Sequence, residues 1–359
     1  MTVGLFGVTV VVMSENVRKL VGVAAMAVLV VVGVAVSSGD DTDFTRNVSS
    51  RGATSPSASA DKAADCCDET LALLESMQDQ LQTLLDAESE PAYFQLLEDQ
   101  CSWIVNYFPH WDCSGAQFMR ADFRGAQLPA VNFSGADLRY SNFAGANMMA
   151  AIITNAELST ANFREANVAG ADFSGTFGPN GNFSEANLRA AFFVGATFAH
   201  TNFRDANLES ADFTDASVGS SHFDGASLSG ADFTNAFVEH ATFAGANLLS
   251  ADFTNAEAKY ANFRGVNLRY ADFIDAEVGY ANFVDATLNQ ADFTNASAIW
   301  ADFGGANLKH VDFTNVYLNN VNLNGAIIDH VKWGPGPIPR PKICNSSNMP
   351  GVCSNLGEG

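Results

Sequence analysis

The six histidines of the chain are its candidates for metal ligation and acid–base catalysis. They are His110, His200, His222, His240, His310 and His330. None lies in an HExxH motif, and the sequence has no CxxC, P-loop, GxGxxG or GxSxG motif. Histidine pairs that share a spacing of twenty or forty residues supply two ligands each, which is too few for a protein metal site. The sequence therefore predicts no catalytic residue, no metal site and no cofactor.

Carboxylates and aromatic rings recur every twenty residues in the second half of the chain. The carboxylates are Asp212, Asp232, Asp252, Asp272, Asp292 and Asp312. The aromatic residues are Tyr260, Tyr280 and Trp300, and His240 precedes them at the same spacing. A row of carboxylates suits either cation binding or hydrogen bonds to backbone turns. Aromatic side chains with a polar edge are favoured at interfaces.

A shorter period of five residues underlies this spacing between Ala116 and Trp333. A large apolar residue occupies every fifth position from 118 to 333 in 44 consecutive units, with a small residue two positions earlier. Steps of five residues would carry the apolar position off one face of an α-helix, at about 100° per residue. In an extended segment the small and large residues face one side, and the Asp or Asn between them faces the other. The last two residues of each unit must then turn a corner.

The size of the apolar residues indicates four units per coil. Phe occupies most positions ending in 3, whereas positions ending in 8 are smaller and alternate between two sets with a period of twenty. The 44 units therefore predict eleven coils, and stacking at about 4.8 Å gives a rod roughly 50 Å long. The predicted core includes Phe213, Phe233, Phe253, Phe273 and Phe293.

This pattern resembles the pentapeptide-repeat family, whose consensus is Ala, then Asp or Asn, then Leu or Phe, then two variable residues. The resemblance covers residues 116–333, with Ala251-Asp252-Phe253-Thr254-Asn255 as one unit. It implies an all-β solenoid, a right-handed quadrilateral β-helix with the small and large residues stacked inside. The unit at 176–180 departs from the pattern, because Gly178 leaves the centre empty and Pro179 removes a donor. We expect a bulge or a small protruding loop there.

The N-terminal residues 1–36 are interpreted as a signal peptide or signal-anchor. Residues 20–36 form an unbroken apolar run after Arg18 and Lys19. The run is either cleaved or retained as a membrane anchor, or it is a buried core helix. Cleavage or anchoring places the rest of the chain outside the cytoplasm, as a secreted, lumenal or membrane-anchored protein.

The remaining segments flank the repeat. Residues 37–61 read as a flexible linker, and residues 62–112 as an acidic helical hairpin or cap. The second helix of that cap is expected to carry Phe94, Leu97, Trp103 and Ile104 on its apolar side. The β-helix is assigned to 113–333 and an irregular Pro/Gly-rich tail to 334–359. In the tail Cys344 and Cys353 are expected to pair. The pairing of four further cysteines stays open: Cys66, Cys67, Cys101 and Cys113.

One corner of the predicted β-helix carries a candidate partner-binding row. The second residue after each large apolar centre is expected to point outward, which places His240, Tyr260, Tyr280 and Trp300 in a line with about 5 Å between neighbours. These rings either stack and stabilise adjacent strands or dock a protein or a sugar chain.

Composition limits the classes of function. The chain has 40 acidic and 18 basic residues and a formal net charge of −22, and residues 116–333 alone hold 23 acidic and 11 basic residues. An acidic chain is poorly suited to neutralise phosphates, so no nucleic-acid partner is predicted. The leading hypothesis is a non-catalytic scaffold, exported or membrane-anchored, that binds a protein or glycan along its faces. The alternative, implied by the resemblance, is an acidic DNA mimic that binds a type II topoisomerase; an export signal opposes it, because that enzyme is cytoplasmic.

Overall fold

The computed structural model describes most of the repeat and parts of the flanking segments. The described residues are 2–5, 8–11, 92–104, 110–334, 342–343 and 354–355. The chain divides into two compact units, Met1–Pro91 and Ala92–Gly359. In the first unit, β1 (Thr2–Leu5) pairs antiparallel with β2 (Val8–Val11). The apolar run, the linker, the first cap helix and Cys344 and Cys353 lie outside the described residues. Within those residues, no helix combines the length and apolarity needed to cross a bilayer.

The second unit begins with one helix and an antiparallel strand pair. Helix α1 spans Ala92–Gln100, and β3 (Ser102–Ile104) pairs with β4 (His110–Asp112). The expectation that Trp103 and Ile104 continue the helix was therefore wrong. Both residue types favour strands, and Trp103 pairs with Trp111, with ring centroids 5.2 Å apart.

Short strands also lie at the other end of this unit. β5 (Asp312–Phe313) pairs parallel with β6 (Lys332–Trp333), and β7 (Lys342–Ile343) pairs antiparallel with β8 (Ser354–Asn355). The pairing of β5 with β6 continues the ladder of the repeat.

The repeat is a four-sided parallel β-helix. Parallel bridges join residues that lie twenty apart, as in Asp252↔Asp272, and the adjoining bridges begin at Glu257, Asn262 and Asn267. Four bridges per twenty residues mean four sides per coil. On the side that carries Asp252, the ladder runs from Asp112 to Lys332.

The five-residue units share one pattern of backbone hydrogen bonds, with an exception at Thr201, whose N–H donates to Oγ of Ser221 (2.9 Å). The N–H of Phe253 donates to the C=O of Asp272 in the next coil (2.6 Å), and the N–H of Asn255 donates to Ile274 (2.8 Å). The N–H of Ala256 closes a turn onto the C=O of Phe253 (3.0 Å). Asn255 has φ 57°, so this corner has the features of a type II β-turn. The repeat therefore folds because every unit satisfies its own backbone and that of its neighbours.

The interior is filled by stacked side chains. The fully buried Phe residues at positions ending in 3 form two columns, named here the Phe123 column and the Phe133 column after their first Phe. Phe213, Phe233, Phe253, Phe273 and Phe293 all lie in the Phe133 column and have no exposed surface. Rings within a column stack at 4.6–4.9 Å between these five residues. Rings from the two columns meet edge to face, a favoured aromatic arrangement.

No bulge forms at residues 176–180, contrary to the sequence expectation. The bridges Glu157↔Phe177 and Phe177↔Thr197 continue the ladder through this unit. A Cβ atom on Gly178 would lie 2.4 Å from Cε1 of Phe198, so the Phe198 ring of the next coil fills the space above the glycine. Pro179 occupies the turn position whose N–H makes no backbone bond elsewhere in the repeat, and its own C=O accepts from Thr160 (2.9 Å). Proline is common at this position of a type II turn.

Helix α1 packs on the first coil. Phe94 and Leu97 are buried, and the Phe94 ring meets Trp111 edge-on at 5.6 Å. The side-chain amide of Gln100 pairs with the backbone of Gln117, donating to its C=O (3.0 Å) and accepting from its N–H (2.7 Å). The Gln100 side chain thus makes the hydrogen bonds that a neighbouring strand would make, so the backbone of Gln117 is not left unpaired at this edge of the β-helix.

A disulfide joins Cys101, which follows α1, to Cys113 at the start of the repeat. Among the cysteines whose pairing the sequence left open, these two are the described ones. The bridge closes a loop over a separation of 12 residues and ties α1 to the first coil.

Candidate functional site

One corner of the β-helix carries a row of half-exposed rings, named here the corner strip: His240, Tyr260, Tyr280 and Trp300. Each occupies the last position of its unit, on successive coils. The exposed fractions of Tyr260, Tyr280 and Trp300 are 49%, 50% and 52%. The backbone therefore positions the four side chains outward in one line.

The rings of the corner strip lie parallel to one another. Ring centroids are 4.8 Å apart between His240 and Tyr260, 4.9 Å between Tyr260 and Tyr280, and 6.3 Å between Tyr280 and Trp300. The interplanar angles are 6°, 11° and 9°. This stacking closes both faces of Tyr260 and Tyr280, so these two residues present ring edges and phenol groups to solvent.

The backbone under the corner strip is in the left-handed region. Tyr260, Tyr280 and Trp300 have φ values of 59°, 59° and 62°. This conformation costs a residue with a side chain roughly 1–2 kcal/mol relative to its ordinary conformation, whereas glycine adopts it freely. Each stacked aromatic pair contributes about 0.5–1.5 kcal/mol beyond its area burial. The backbone cost is shared by every residue with a Cβ at this position, including Ser220 at φ 56°, so stacking remains a stabilising contribution specific to the aromatic residues.

The same corner column shows other occupants on other coils. Tyr140 is exposed, and the guanidinium Cζ of Arg120, one coil earlier, lies 5.7 Å from its ring centroid. Ser220 precedes His240 and shows that a small polar residue is tolerated here, with φ 56°. The sequence analysis missed the Arg120–Tyr140 contact, although the spacing of twenty residues between them was the signal for it.

The side next to the corner strip is acidic with apolar ends. Glu239, Glu257 and Glu277 lie there at outward positions, and Lys259 is 3.7 Å from Glu277. Phe237 is exposed and packs over Gly219, where a Cβ atom would lie 2.6 Å from the Phe237 ring. The surface around the strip thus combines rings with a net negative charge.

The carboxylate row from Asp212 to Asp312 lies on a different side and bonds to the backbone. Oδ1 of Asp232, Asp252 and Asp292 each accepts the N–H of the Thr two residues later, at 2.8 Å. This is the turn-bonding role that the sequence allowed for these residues. Among the residues that the structure describes, no group of three or more His, Cys, Asp or Glu side chains is arranged to hold a metal ion.

Asp272 differs from its neighbours in this row. Burial, and then the like charges of Asp252 and Asp292, raise the pKa of the Asp272 carboxyl above its usual range. Because the folded state then holds the proton more tightly than the unfolded state, ionised Asp272 disfavours folding. That destabilisation is absent at pH values below the usual carboxyl range and appears as pH rises through the raised pKa.

Replacing Asp272 with Asn is expected to raise the melting temperature at neutral pH and to have less effect at acidic pH. The amide removes the charge and can donate along the column, as Nδ2 of Asn322 does to Asp302 at 2.8 Å. Thermal unfolding at both pH values measures this. Asp137→Asn is the matched control. The Arg139 guanidinium lowers the pKa of Asp137, so loss of the Asp137 charge should destabilise the folded state at neutral pH. A lower melting temperature for Asp272→Asn at neutral pH would contradict the expectation.

The histidines do not assemble a catalytic centre. His310 and His330 stack with centroids 5.0 Å apart, and Nδ1 of His330 lies 2.6 Å from Oδ1 of Asp329. Nδ1 of His222 lies 3.1 Å from Oγ1 of Thr242. Burial and the nearby Arg204 lower the pKa of His222, which favours its neutral form. These arrangements are stacked pairs and local hydrogen bonds along columns.

Comparison with known proteins assigns the repeat. Two family profiles match: "Pentapeptide repeat region" over residues 246–323, and "Pentapeptide repeats (8 copies)" over 116–155, 150–177, 182–219, 211–248 and 221–257. Together they match more than half of the chain. No curated protein matches it.

Three solved structures illustrate the structural likeness. A trypsin-treated variant of QnrB1, a plasmid-mediated fluoroquinolone resistance protein, is 26% identical, with coverage of 50% of this chain and 90% of that chain and a TM-score of 0.46. HetL, involved in heterocyst differentiation regulation in the cyanobacterium Nostoc, is 22% identical, with coverages of 62% and 92% and a TM-score of 0.28. A pentapeptide repeat protein from the Arabidopsis thaliana thylakoid lumen is 31% identical, with coverages of 28% and 68% and a TM-score of 0.17. All three TM-scores lie below 0.5, so the assignment rests on the profiles.

Proposed function

Because the chain belongs to the pentapeptide-repeat family, we propose that it is a non-catalytic scaffold that binds a protein partner through the corner strip. The observation that carries this proposal is a row of half-exposed parallel rings on successive coils of a rod of about eleven coils. Solenoids present side chains at a fixed spacing along extended faces, which suits them to binding extended partners.

The stacking favours a protein over a glycan as the partner. Sugars bind aromatic side chains by lying on an open ring face, and the faces of Tyr260 and Tyr280 are closed by their neighbours. The strip instead presents edges, phenol groups and the indole of Trp300. Such amphipathic groups are enriched at protein interfaces and account for much of the binding energy there.

The exposure of the rings also supports docking. Tyr260, Tyr280 and Trp300 are about half exposed on three successive coils. An exposed row of large rings points to a surface that a partner covers.

Changing Tyr280 and Trp300 together to Ser is expected to abolish partner binding and to lower the free energy of unfolding only by the loss of two stacked pairs, about 1–3 kcal/mol. Ser220 shows that this corner position accepts Ser. The measurement is capture of the partner from the native compartment with the full chain as bait, combined with thermal unfolding. Tyr140→Ser is the matched control, because Tyr140 is in the same column and is 53% exposed but lies outside the strip. Retained binding with a clearly lower melting temperature would show that the rings only stabilise the rod.

We place this scaffold outside the cytoplasm, secreted, lumenal or anchored through residues 20–36. The charges before and after that apolar run support this placement. Cell fractionation tests it: recovery of the full-length chain in the cytoplasm would contradict it.

The acidic row supports a second candidate function. On this side of the rod an outward carboxylate recurs on every coil from Asp212 to Asp312. The next residue of the column is Lys332, whose Nζ lies 2.7 Å from Oδ2 of Asp312. A rod with such a side is the basis of the alternative, a DNA mimic that binds a type II topoisomerase. A cytoplasmic pool together with inhibition of that enzyme would favour it over the export proposal.

A further inference from the structure

Trp300 is the open end of the corner strip. Tyr280 covers one face of its indole ring, and the next residue of the column is Asn320, which is exposed and carries no ring. The N–H of Trp300 donates to the C=O of Asn319 at 2.9 Å, so the coil that carries Asn320 is the adjacent one. Among the residues that the structure describes, no ring stacks on this second face of Trp300, so the strip ends in an aromatic face there.

Arg120 shows that a guanidinium can reach a ring in this corner column. It lies one coil before Tyr140, and its N–H donates to the C=O of Arg139 (2.9 Å). From there its guanidinium Cζ reaches 5.7 Å from the Tyr140 ring centroid. Arg120 approaches Tyr140 from the preceding coil, whereas the free face of Trp300 is directed toward the following coil, so the spacing of one coil is shared and the direction is reversed.

The chemistry of the site favours arginine over other occupants. A guanidinium is planar and weakly hydrated, so it stacks on aromatic faces more readily than an ammonium group does, and Trp is the strongest aromatic partner for a cation. The chain has a formal net charge of −22, and residues 116–333 hold 23 acidic and 11 basic residues. A cationic group is therefore attracted to the β-helix as a whole.

We propose that the Trp300 face directed toward Asn320 is a binding site for an arginine side chain of the protein partner. This inference rests on the proposed function, because it assumes that the corner strip docks a protein. It adds the chemistry of the partner: the docking segment carries an arginine that continues the stack beyond Trp300, as Arg120 does beside Tyr140.

The first test is titration of the full chain with N-acetyl-arginine methylamide, followed through the indole N–H resonance of Trp300. The Trp300→Phe variant identifies that resonance. We expect a saturable shift, with weaker binding for the lysine analogue and binding about two- to fivefold weaker for the neutral citrulline analogue, the ratio that corresponds to loss of an exposed cation–π contact. No shift, or equal shifts with the lysine and the neutral citrulline analogues, would overturn the proposal.

The second test blocks the site from within the chain. In Asn320→Arg the new guanidinium lies one coil from the Trp300 ring, the separation that Arg120 spans to Tyr140 from the opposite side, and should cover the indole; Arg is tolerated at this left-handed position because Arg120 has φ 63°. The arginine probe should then no longer shift the Trp300 resonance, whereas Asn320→Gln, the uncharged control, should bind it normally. Probe binding by Asn320→Arg equal to that of the wild type would overturn the proposal.

Partner capture separates this proposal from the proposed function. Loss of the partner in both Asn320→Arg and the Tyr280→Ser, Trp300→Ser double variant supports both. If the double variant loses the partner but Asn320→Arg keeps it, docking stands and the arginine site is overturned. If the probe titration succeeds but the double variant keeps its partner, the proposed docking function fails, and the arginine of a partner docked there is overturned with it, although Trp300 binds free arginine.

Discussion

Replacing Phe253 with Ala is expected to lower the free energy of unfolding by about 3–5 kcal/mol, the range found for large-to-small changes in cores. Phe253 has no exposed surface. Its ring stacks on Phe233 at 4.8 Å and on Phe273 at 4.9 Å, and it meets Phe263 edge-on at 5.6 Å. The surrounding rings are held by the backbone ladder of adjacent coils and have little room to collapse into the cavity. Denaturant unfolding of the purified chain measures the loss.

The matched control for this change is Phe192→Ala. Phe192 belongs to the same side of the rod and undergoes the same substitution, but it is 46% exposed and faces outward. We expect its effect to be a small fraction of the Phe253 effect, because no closed cavity is created. Equal losses for the two variants would show that the inward and outward assignments are wrong.

Introducing Val at Gly178 is expected to destabilise the chain by about 1–3 kcal/mol, the usual cost of overpacking a filled core. The Cβ atom would lie 2.4 Å from Cε1 and 2.8 Å from Cδ1 of Phe198, so that ring would have to move. Phe198 is itself buried between coils and packs against Phe183 at 5.6 Å. Thermal unfolding of Gly178→Val provides the measurement.

The double variant Gly178→Val, Phe198→Val separates overpacking from backbone effects. Removing the ring provides the space that the new side chain needs, so the double variant should be more stable than the sum of the two single changes predicts. If the stability changes of the two single variants simply added, the side chains at 178 and 198 would not compete for one space. The conclusion that Phe198 fills the space above Gly178 would then be wrong.

The inward and outward positions of the repeat could be read from the sequence because they recur with an uninterrupted period. Phe253 and Tyr280 are examples: spacing alone places one inside and the other at a corner. The unit at Gly178 was misjudged because its filling depends on Phe198, a residue twenty positions away that the unit itself does not contain. Trp103 was misjudged because its strand pairs with the strand of Trp111, and no periodic pattern marks such a pairing.

The candidate site was predictable to a similar depth. The period of twenty residues brings His240, Tyr260, Tyr280 and Trp300 into one column. Their parallel rings, and therefore the closed faces of Tyr260 and Tyr280, depend on side-chain torsions that spacing does not specify. The open face of Trp300 became apparent only once the stacking direction was known.

The distinct residues in the four columns restrict how such a rod can change its length. Removing twenty residues from the middle of the rod would shorten it by one coil. Each later side chain would still lie in its original column. Removing five would rotate everything beyond the cut by a quarter turn. Rings such as Phe273 would then lie over the column of Leu228 and Leu248, and the corner strip would pass to another edge. Growth and loss by whole coils are therefore the length changes that preserve both the interior and the docking edge.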